Sequence, residues 1–356
     1  MKYPLARPHF DDTELEEIKQ VLASGWVSMG PKVTELEKLI CSLLGVKYAI
    51  ANVNCTASLH IALLSMGIRS GDEVLVADYT YPATGHAVLY CGATPRFVDV
   101  DRETYNIQIK AIESKITPRT RAIIPVHTFG QPADMQRVMA VARKYNLGVI
   151  EDAACALGAK VDDRLAGTIG DVGCFSFHAR KGFTSGEGGV LVTNDDVIAE
   201  KARRIRNLDA PAFEVLGFNY KMSDILAAIA VVQLRKWDTI LSKRRRLGKV
   251  WTEAITGSRF LVAPISVGDH IYQSYVCRVN GINRDHLIMA LGQAGIQAQI
   301  GTYASHVQPI YHSKDYCPIS LELFKQAIAL PMYYELEDEG IFEMAEIIDK
   351  IAGELQ

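Results

Sequence analysis

Apolar residues return along the chain with two different periods. Between Asp11 and Ala23, Leu15, Ile18 and Leu22 recur at helical spacing with acids between them, which predicts a helix. After a turn at Gly25–Pro31, Pro31 opens a second helical pattern that runs through Leu44 and stops at Gly45. Short apolar runs then alternate with helical patterns. Strands are expected at Tyr48–Val53, Glu73–Ala77, Pro95–Val98, Arg121–Val126, Gly148–Glu151, Val172–Phe177 and Gly189–Val192, and helices at Ala57–Ser65, Pro82–Tyr90 and Asp134–Tyr145. The strand segments are apolar almost throughout, as in strands buried on both faces of a mostly parallel sheet.

This alternation fills residues 45–195 and predicts an α/β domain with a mostly parallel seven-stranded sheet covered by helices. Ligands of such sheets sit where loops leave the carboxyl ends of the strands. Beyond residue 220 the pattern changes. Ser223–Thr256 reads as one long helical stretch capped by Ser223, followed by shorter strands (Gln273–Val279, Ala298–Ile300) and helices (Arg284–Ala294, Glu335–Glu354). A smaller C-terminal α+β domain, residues 239–356, is therefore expected after a large domain of residues 1–238. The run Lys243-Arg244-Arg245-Arg246 reads as the solvated face of the long helix.

Composition narrows the function classes. Lys plus Arg total 38 against 41 Asp plus Glu, a net charge of −3, which leaves no excess positive charge for a broad nucleic-acid surface. The most apolar stretch, Ile225–Val232, is far short of the roughly 20 residues that span a membrane. Seven cysteines without a C-x-x-C spacing argue against a disulfide framework or a structural metal site, and fit reduced thiols in the cytoplasm. The N-terminal MKYPLARPHF has no apolar run behind its basic residues, so no secretory signal is expected.

Two predicted strand ends carry chemistry. Gly148–Glu151 runs into Asp152-Ala153-Ala154-Cys155. Cys174-Phe175-Ser176-Phe177 runs into His178-Ala179-Arg180-Lys181 and then into the glycine-rich Gly182–Gly189. An aspartate ending a buried strand is costly unless a charge meets it. A lysine before a glycine-rich loop has open space around its amine. An acid and an amine converging on one cavity suit pyridoxal phosphate, whose aldehyde a lysine holds and whose ring nitrogen an acid keeps protonated. On spacing alone, a backbone-satisfied aspartate and a surface lysine are an equal alternative.

The motifs Glu151-Asp152-Ala153-Ala154, Ser176-Phe177-His178-Ala179-Arg180-Lys181 and Gly186-Glu187-Gly188-Gly189 resemble those of the DegT/StrS-type sugar aminotransferases, which are fold-type I pyridoxal-phosphate enzymes. The resemblance extends through Gly25-Trp26-Val27-Ser28, Gly71-Asp72-Glu73-Val74, Thr80-Tyr81, Asn219-Tyr220-Lys221-Met222, Gln308-Pro309 and Leu330-Pro331-Met332-Tyr333. It implies that Lys181 forms the Schiff base and then moves protons, a task that calls for a pKa lowered by burial and nearby cationic charge. It implies that Asp152 pairs with the pyridinium, that Tyr81 stacks on the ring, and that Thr56, Ser176 and the helix start at Asn54-Cys55 hold the phosphate. It further implies a homodimer in which Asn219 reaches the cofactor of the neighbouring subunit. Cys155 stands where the family has Gln or His against the ring hydroxyl, and a thiol is a weaker partner there. Cys55 replaces a frequent Gly, and Lys221 replaces Arg, giving a point charge in place of a fork.

For the substrate, Trp26, Ser28 and Gly301–His306, with His306 the candidate ligand, are the expected sugar contacts. The implied reaction has two halves. Glutamate leaves its amino group as pyridoxamine phosphate and departs as 2-oxoglutarate. A keto sugar then takes the amine, and the expected acceptor is a nucleoside-diphosphate-linked 3- or 4-keto-6-deoxy sugar used in polysaccharide or natural-product biosynthesis. Two rivals are a dehydratase with the same cofactor, disfavoured because such relatives carry His in place of Lys181, and a non-catalytic regulatory relative.

Overall fold

A computed structural model describes residues 1–356. At its centre lies a seven-stranded sheet in the spatial order Tyr48–Asn52, Gly189–Thr193, Val172–Ser176, Gly148–Asp152, Thr120–Ile124, Glu73–Ala77, Thr94–Val98. Gly189–Thr193 runs antiparallel to both of its neighbours, and the other pairings are parallel. These are the seven expected strands with slightly moved ends. Their side chains alternate between two cores, which explains the missing polar positions. Phe175, Val190 and Val192 point into a cluster with the helices Pro31–Leu44 and Asp224–Arg235. Ile150, Cys174 and Leu191 point into another with Cys55–Ser65 and Asp196–Arg206. The last of these helices escapes the sequence reading because alanines among charged residues (Ala199, Ala202) make up half of its buried face.

The single helix expected over residues 223–256 is two, Asp224–Arg235 and Trp237–Ala254, bent at Lys236. Lys236 Nζ reaches carboxylate oxygens of Asp11 at 2.9 Å and Glu14 at 2.7 Å, and Trp237 stacks on Phe183 with centroids 5.2 Å apart. Apolar spacing continues through the bend, so the pattern alone does not reveal it. Nor is Lys243–Arg246 wholly solvated. Arg244 is buried, and its guanidinium donates to the Tyr272 and Gln273 carbonyls at 2.9 and 2.5 Å.

The C-terminal part forms an antiparallel four-stranded sheet, ordered Leu261–Val262, Tyr275–Val279, Ala327–Leu330, Gln299–Ile300. Its core takes in Trp251, the helix Asp338–Glu354 and the N-terminal Tyr3, so a cut at residue 238 would part Tyr3 from its neighbours. The helix Pro318–Gln326 passes straight into the strand Ala327–Leu330 without a Gly or Pro between them, which hides both from pattern reading. A two-stranded pairing of Tyr79–Thr80 with Tyr303–Ala304 joins this part to the large sheet.

Glu151, one residue before the strand end, anchors the region around it. Its fully buried carboxylate accepts from the amides of Gly167 (2.9 Å), Ile169 and Gly170 (2.6 Å each) and from His127 Nε2 (2.8 Å). His127 Nδ1 accepts from the Ala133 amide at 3.0 Å, which places the ring proton on Nε2, facing Glu151. Burial raises the Glu151 pKa, but His127 and the backbone amides outweigh it and hold the carboxyl below its ordinary 4.5. A depressed carboxylate contributes stability above its unfolded pKa, and that stability is lost as pH falls through the folded one. Stability to urea should therefore drop below pH 4.5. Glu151→Gln should flatten that dependence and cost about 3–5 kcal/mol at neutral pH, which urea titrations at neutral and acid pH will measure.

Candidate active site

The neighbouring parallel strands Gly148–Asp152 and Val172–Ser176, with Asp152 opposite Cys174, end at the same edge of the sheet. The Asp152 side chain emerges there at 5% exposure. Its Oδ2 accepts from Thr84 Oγ1 at 2.7 Å and its Oδ1 from the Ala154 amide at 3.1 Å. Thr84 in turn lies 3.0 Å from Thr80 Oγ1. No role falls to Thr84 from the sequence alone, because its partner lies 68 residues further on.

From Ser176 the chain enters a compact loop closed on itself. Phe177 N donates to Gly188 O at 2.9 Å, Ser185 N to Phe177 O at 3.0 Å, and Ala179 N to Gly186 O at 2.8 Å. Gly186 has φ 86°, a conformation that glycine adopts without strain. The loop presents Lys181, half-buried, with Nζ 3.0 Å from Cys155 Sγ. Burial lowers the Lys181 pKa, but Cys155 and the Asp152 carboxylate favour the ammonium, and the net shift is upward from 10.5. This reverses the expectation of a lowered pKa, because the groups facing the amine are thiols and a carboxylate rather than cations.

Opposite lies the N-terminus of the helix Cys55–Ser65, capped by Asn54, whose side chain accepts from the Ala57 amide at 2.8 Å. The amides of the first turn have no partner inside a helix and form an anion site. The strand Gly189–Thr193 presses against this turn: a Cβ on Gly189 would come 2.4 Å from the Asn54 carbonyl carbon and the Cys55 nitrogen. Burial keeps the Cys55 thiol well above its ordinary pKa, hence neutral.

Lys181, Asp152, Cys155, Cys55, Thr56, Ser176 and Tyr81 all line one cavity of about 280 Å³. Tyr81 stands at its rim, 68% exposed, edge-on to Tyr303 at 6.3 Å. Four of the sequence candidates do not line it within this chain. Trp26 is 60% exposed, and Ser28 lies in the same exposed loop, its carbonyl accepting from the Asp224 amide at 3.0 Å. Asn219 Oδ1 accepts from Lys221 Nζ at 2.6 Å. His306 is turned away: its Nδ1 lies 2.6 Å from Asp78 Oδ2 and its amide donates to Asp78 Oδ1 at 2.7 Å. From the Gly301–His306 segment, Gly301 and Thr302 reach the cavity in its place.

A family model for the DegT/DnrJ/EryC1/StrS aminotransferases matches residues 8–351. The chain belongs to that family. It is 37% identical to the GDP-perosamine synthase of Caulobacter vibrioides over 98% of this chain and 97% of that one. It is 33% identical to the spore coat polysaccharide biosynthesis protein SpsC of Bacillus subtilis over 98% and 96%. The PLP-form of the sugar aminotransferase Spr1654 from Streptococcus pneumoniae superimposes with a TM-score of 0.94 at 25% identity, covering 100% of both chains. DesI, solved in the presence of its TDP-sugar product, gives 0.92 at 29% identity, covering 99% of this chain and 93% of that one.

The protein is a PLP-dependent aminotransferase of this family, and its cofactor is pyridoxal 5'-phosphate (PLP). The donor set fits that group. Lys181 offers the amine and Asp152 an anionic partner for a ring nitrogen, while the helix start with Thr56 and Ser176 suits a phosphate. No helix is long and apolar enough to cross a membrane. Thr84→Val removes a hydrogen bond to a charged carboxylate, so PLP affinity should fall about tenfold or more in equilibrium dialysis. Gly189→Ala should weaken it further, because the phosphate-facing helix turn must move.

Proposed function

We propose that the protein transfers an amino group from glutamate to a nucleoside-diphosphate-linked keto sugar, working as a homodimer. The carrying observation is that the Lys181 amine and the Asp152 carboxylate line one cavity. The names of the relatives support the acceptor class: one is a GDP-perosamine synthase, and another was solved with a TDP-sugar product.

When bound, PLP supplies an aldehyde carbon that carries the amino group and a protonated ring that accepts electrons released at the reacting carbon. The chain's own groups do the rest. Asp152, oriented by Thr84 and the Ala154 amide, would keep a proton on the ring nitrogen. The helix start at Cys55, with the Thr56 and Ser176 hydroxyls, would hold the phosphate. Lys181 Nζ would hold the cofactor until an incoming amine took its place, and as a free amine on the cavity wall it would then carry a proton at the reacting carbon. Cys155 Sγ, 3.0 Å away, holds the amine on that side of the cavity. A lysine at this position favours amine transfer over dehydration, because it serves both as covalent anchor and as proton carrier.

A supply of PLP, glutamate and a panel of nucleotide-linked keto sugars should yield 2-oxoglutarate and an amino sugar with ping-pong kinetics. Lys181→Ala should lower turnover at least about 10³-fold. A 3-deoxy sugar product without 2-oxoglutarate would favour the dehydratase reading instead.

Asn219 and Trp26 stand outside the cavity of their own chain, and we assign them to the cavity of the partner subunit. Exposed Phe213 and Leu216 add apolar surface for that contact. Mixing inactive Lys181→Ala with inactive Asn219→Ala subunits leaves one intact site in each mixed dimer. Activity should return to about a quarter of wild type after exchange. No recovery would place Asn219 in its own subunit's site.

A further inference from the structure

We propose that Arg180 binds the α-carboxylate of the amino donor, an inference that rests on the aminotransferase reading above. Arg180 and Lys181 are the two permanently basic side chains that line the cavity. Lys181 is engaged with Cys155, whereas the Arg180 guanidinium has no ion-pair partner and no side-chain hydrogen bond in this chain. Arg244, which packs against Gly182 of the same loop, is occupied by the Tyr272 and Gln273 carbonyls.

The backbone of Arg180 is fixed on both sides. Its amide donates to His178 Nδ1 at 3.2 Å, and its carbonyl accepts from Gln273 Nε2 at 2.9 Å. Gln273 also takes a bond from Ser274 Oγ at 3.2 Å, and both residues line the cavity. The acids in the cavity do not neutralise Arg180. Asp152 is held by Thr84 and Ala154, and Glu187 Oε1 faces His178 Nε2 at 3.8 Å. The result is an exposed, unpaired guanidinium on a fixed backbone, on the wall that carries the Lys181 amine.

Planar guanidinium groups match carboxylates with two parallel hydrogen bonds. The donor's carboxylate is attached directly to the carbon that loses the amino group, and so arrives beside Lys181. The diphosphate of a nucleotide sugar is held away from its carbonyl by the breadth of the sugar ring. The cofactor phosphate has its own site at the helix start. Of the three anions, the donor carboxylate is the one that fits the position of Arg180.

The test uses the PLP-loaded full-length protein with Arg180→Gln and Arg180→Lys. Glutarate, a dicarboxylate without an amino group, is titrated calorimetrically. Glutamate alone is followed by loss of the cofactor absorption band, and the keto-sugar half-reaction by its return. Arg180→Gln should weaken glutarate binding and glutamate kcat/KM by about 10- to 100-fold, with a smaller effect on the keto-sugar half-reaction. Arg180→Lys should recover part of the loss, because charge remains and the fork is gone. Unchanged glutarate and glutamate affinity overturns the proposal, as does an equal or larger loss for the nucleotide sugar. A wild-type protein that binds PLP and glutarate but does not consume glutamate would refute the donor reading while leaving the carboxylate site measured.

Discussion

A buried carboxylate held only by neutral donors sets the terms for this fold. Asp152 has a hydroxyl and a backbone amide for partners and no protein cation in contact. Taking an anion out of water at such a place is costly, and in the proposed site a cationic ring nitrogen would offset that cost while the anion kept the ring protonated. That one interaction would stabilise the bound cofactor and make it an electron acceptor, and the other proposed contacts would serve it by placing the ring.

The fold achieves that placement through close backbone packing. Parallel strands bring Asp152 and Ser176 to one sheet edge. The antiparallel strand beginning at Gly189 lets a helix start press against it without an intervening side chain. Glu151 ties the strand end to the turn around Gly167–Gly170, and His127 joins that network from the neighbouring strand's loop. The C-terminal part closes the cavity with Gln273, Ser274, Gly301 and Thr302, connected through the Tyr79–Thr80 pairing. The cavity therefore lies where both parts of the chain meet, lined by residues far apart in sequence.

Much of this was legible in the sequence because two-sided burial writes continuous apolar strands, and because Asp152, Ser176 and Lys181 follow such strands directly. The helix after Asn54-Cys55 was legible as a helical pattern from Ala57, whereas its cap by Asn54 shows only in the structure. Three features were hidden for physical reasons. The bend at Lys236 depends on contacts with Asp11 and Glu14, more than 200 residues away. Thr84 gains its role only once strand and helix meet, since nothing local marks a threonine as the partner of an acid 68 residues further on. His306 reads as a candidate ligand until tertiary structure gives it Asp78 as a neighbour. The pKa direction of Lys181 was likewise set by Cys155, whose approach the spacing does not reveal.

The account stands on Lys181 being the residue that holds PLP across from Asp152. Borohydride reduction of the yellow holoenzyme, followed by peptide mass spectrometry, tests this directly. A phosphopyridoxyl mass on the peptide carrying Lys181, absent from the Lys181→Ala protein, is the predicted result. An adduct on another lysine, or a protein that takes up PLP without any reducible link, would contradict it.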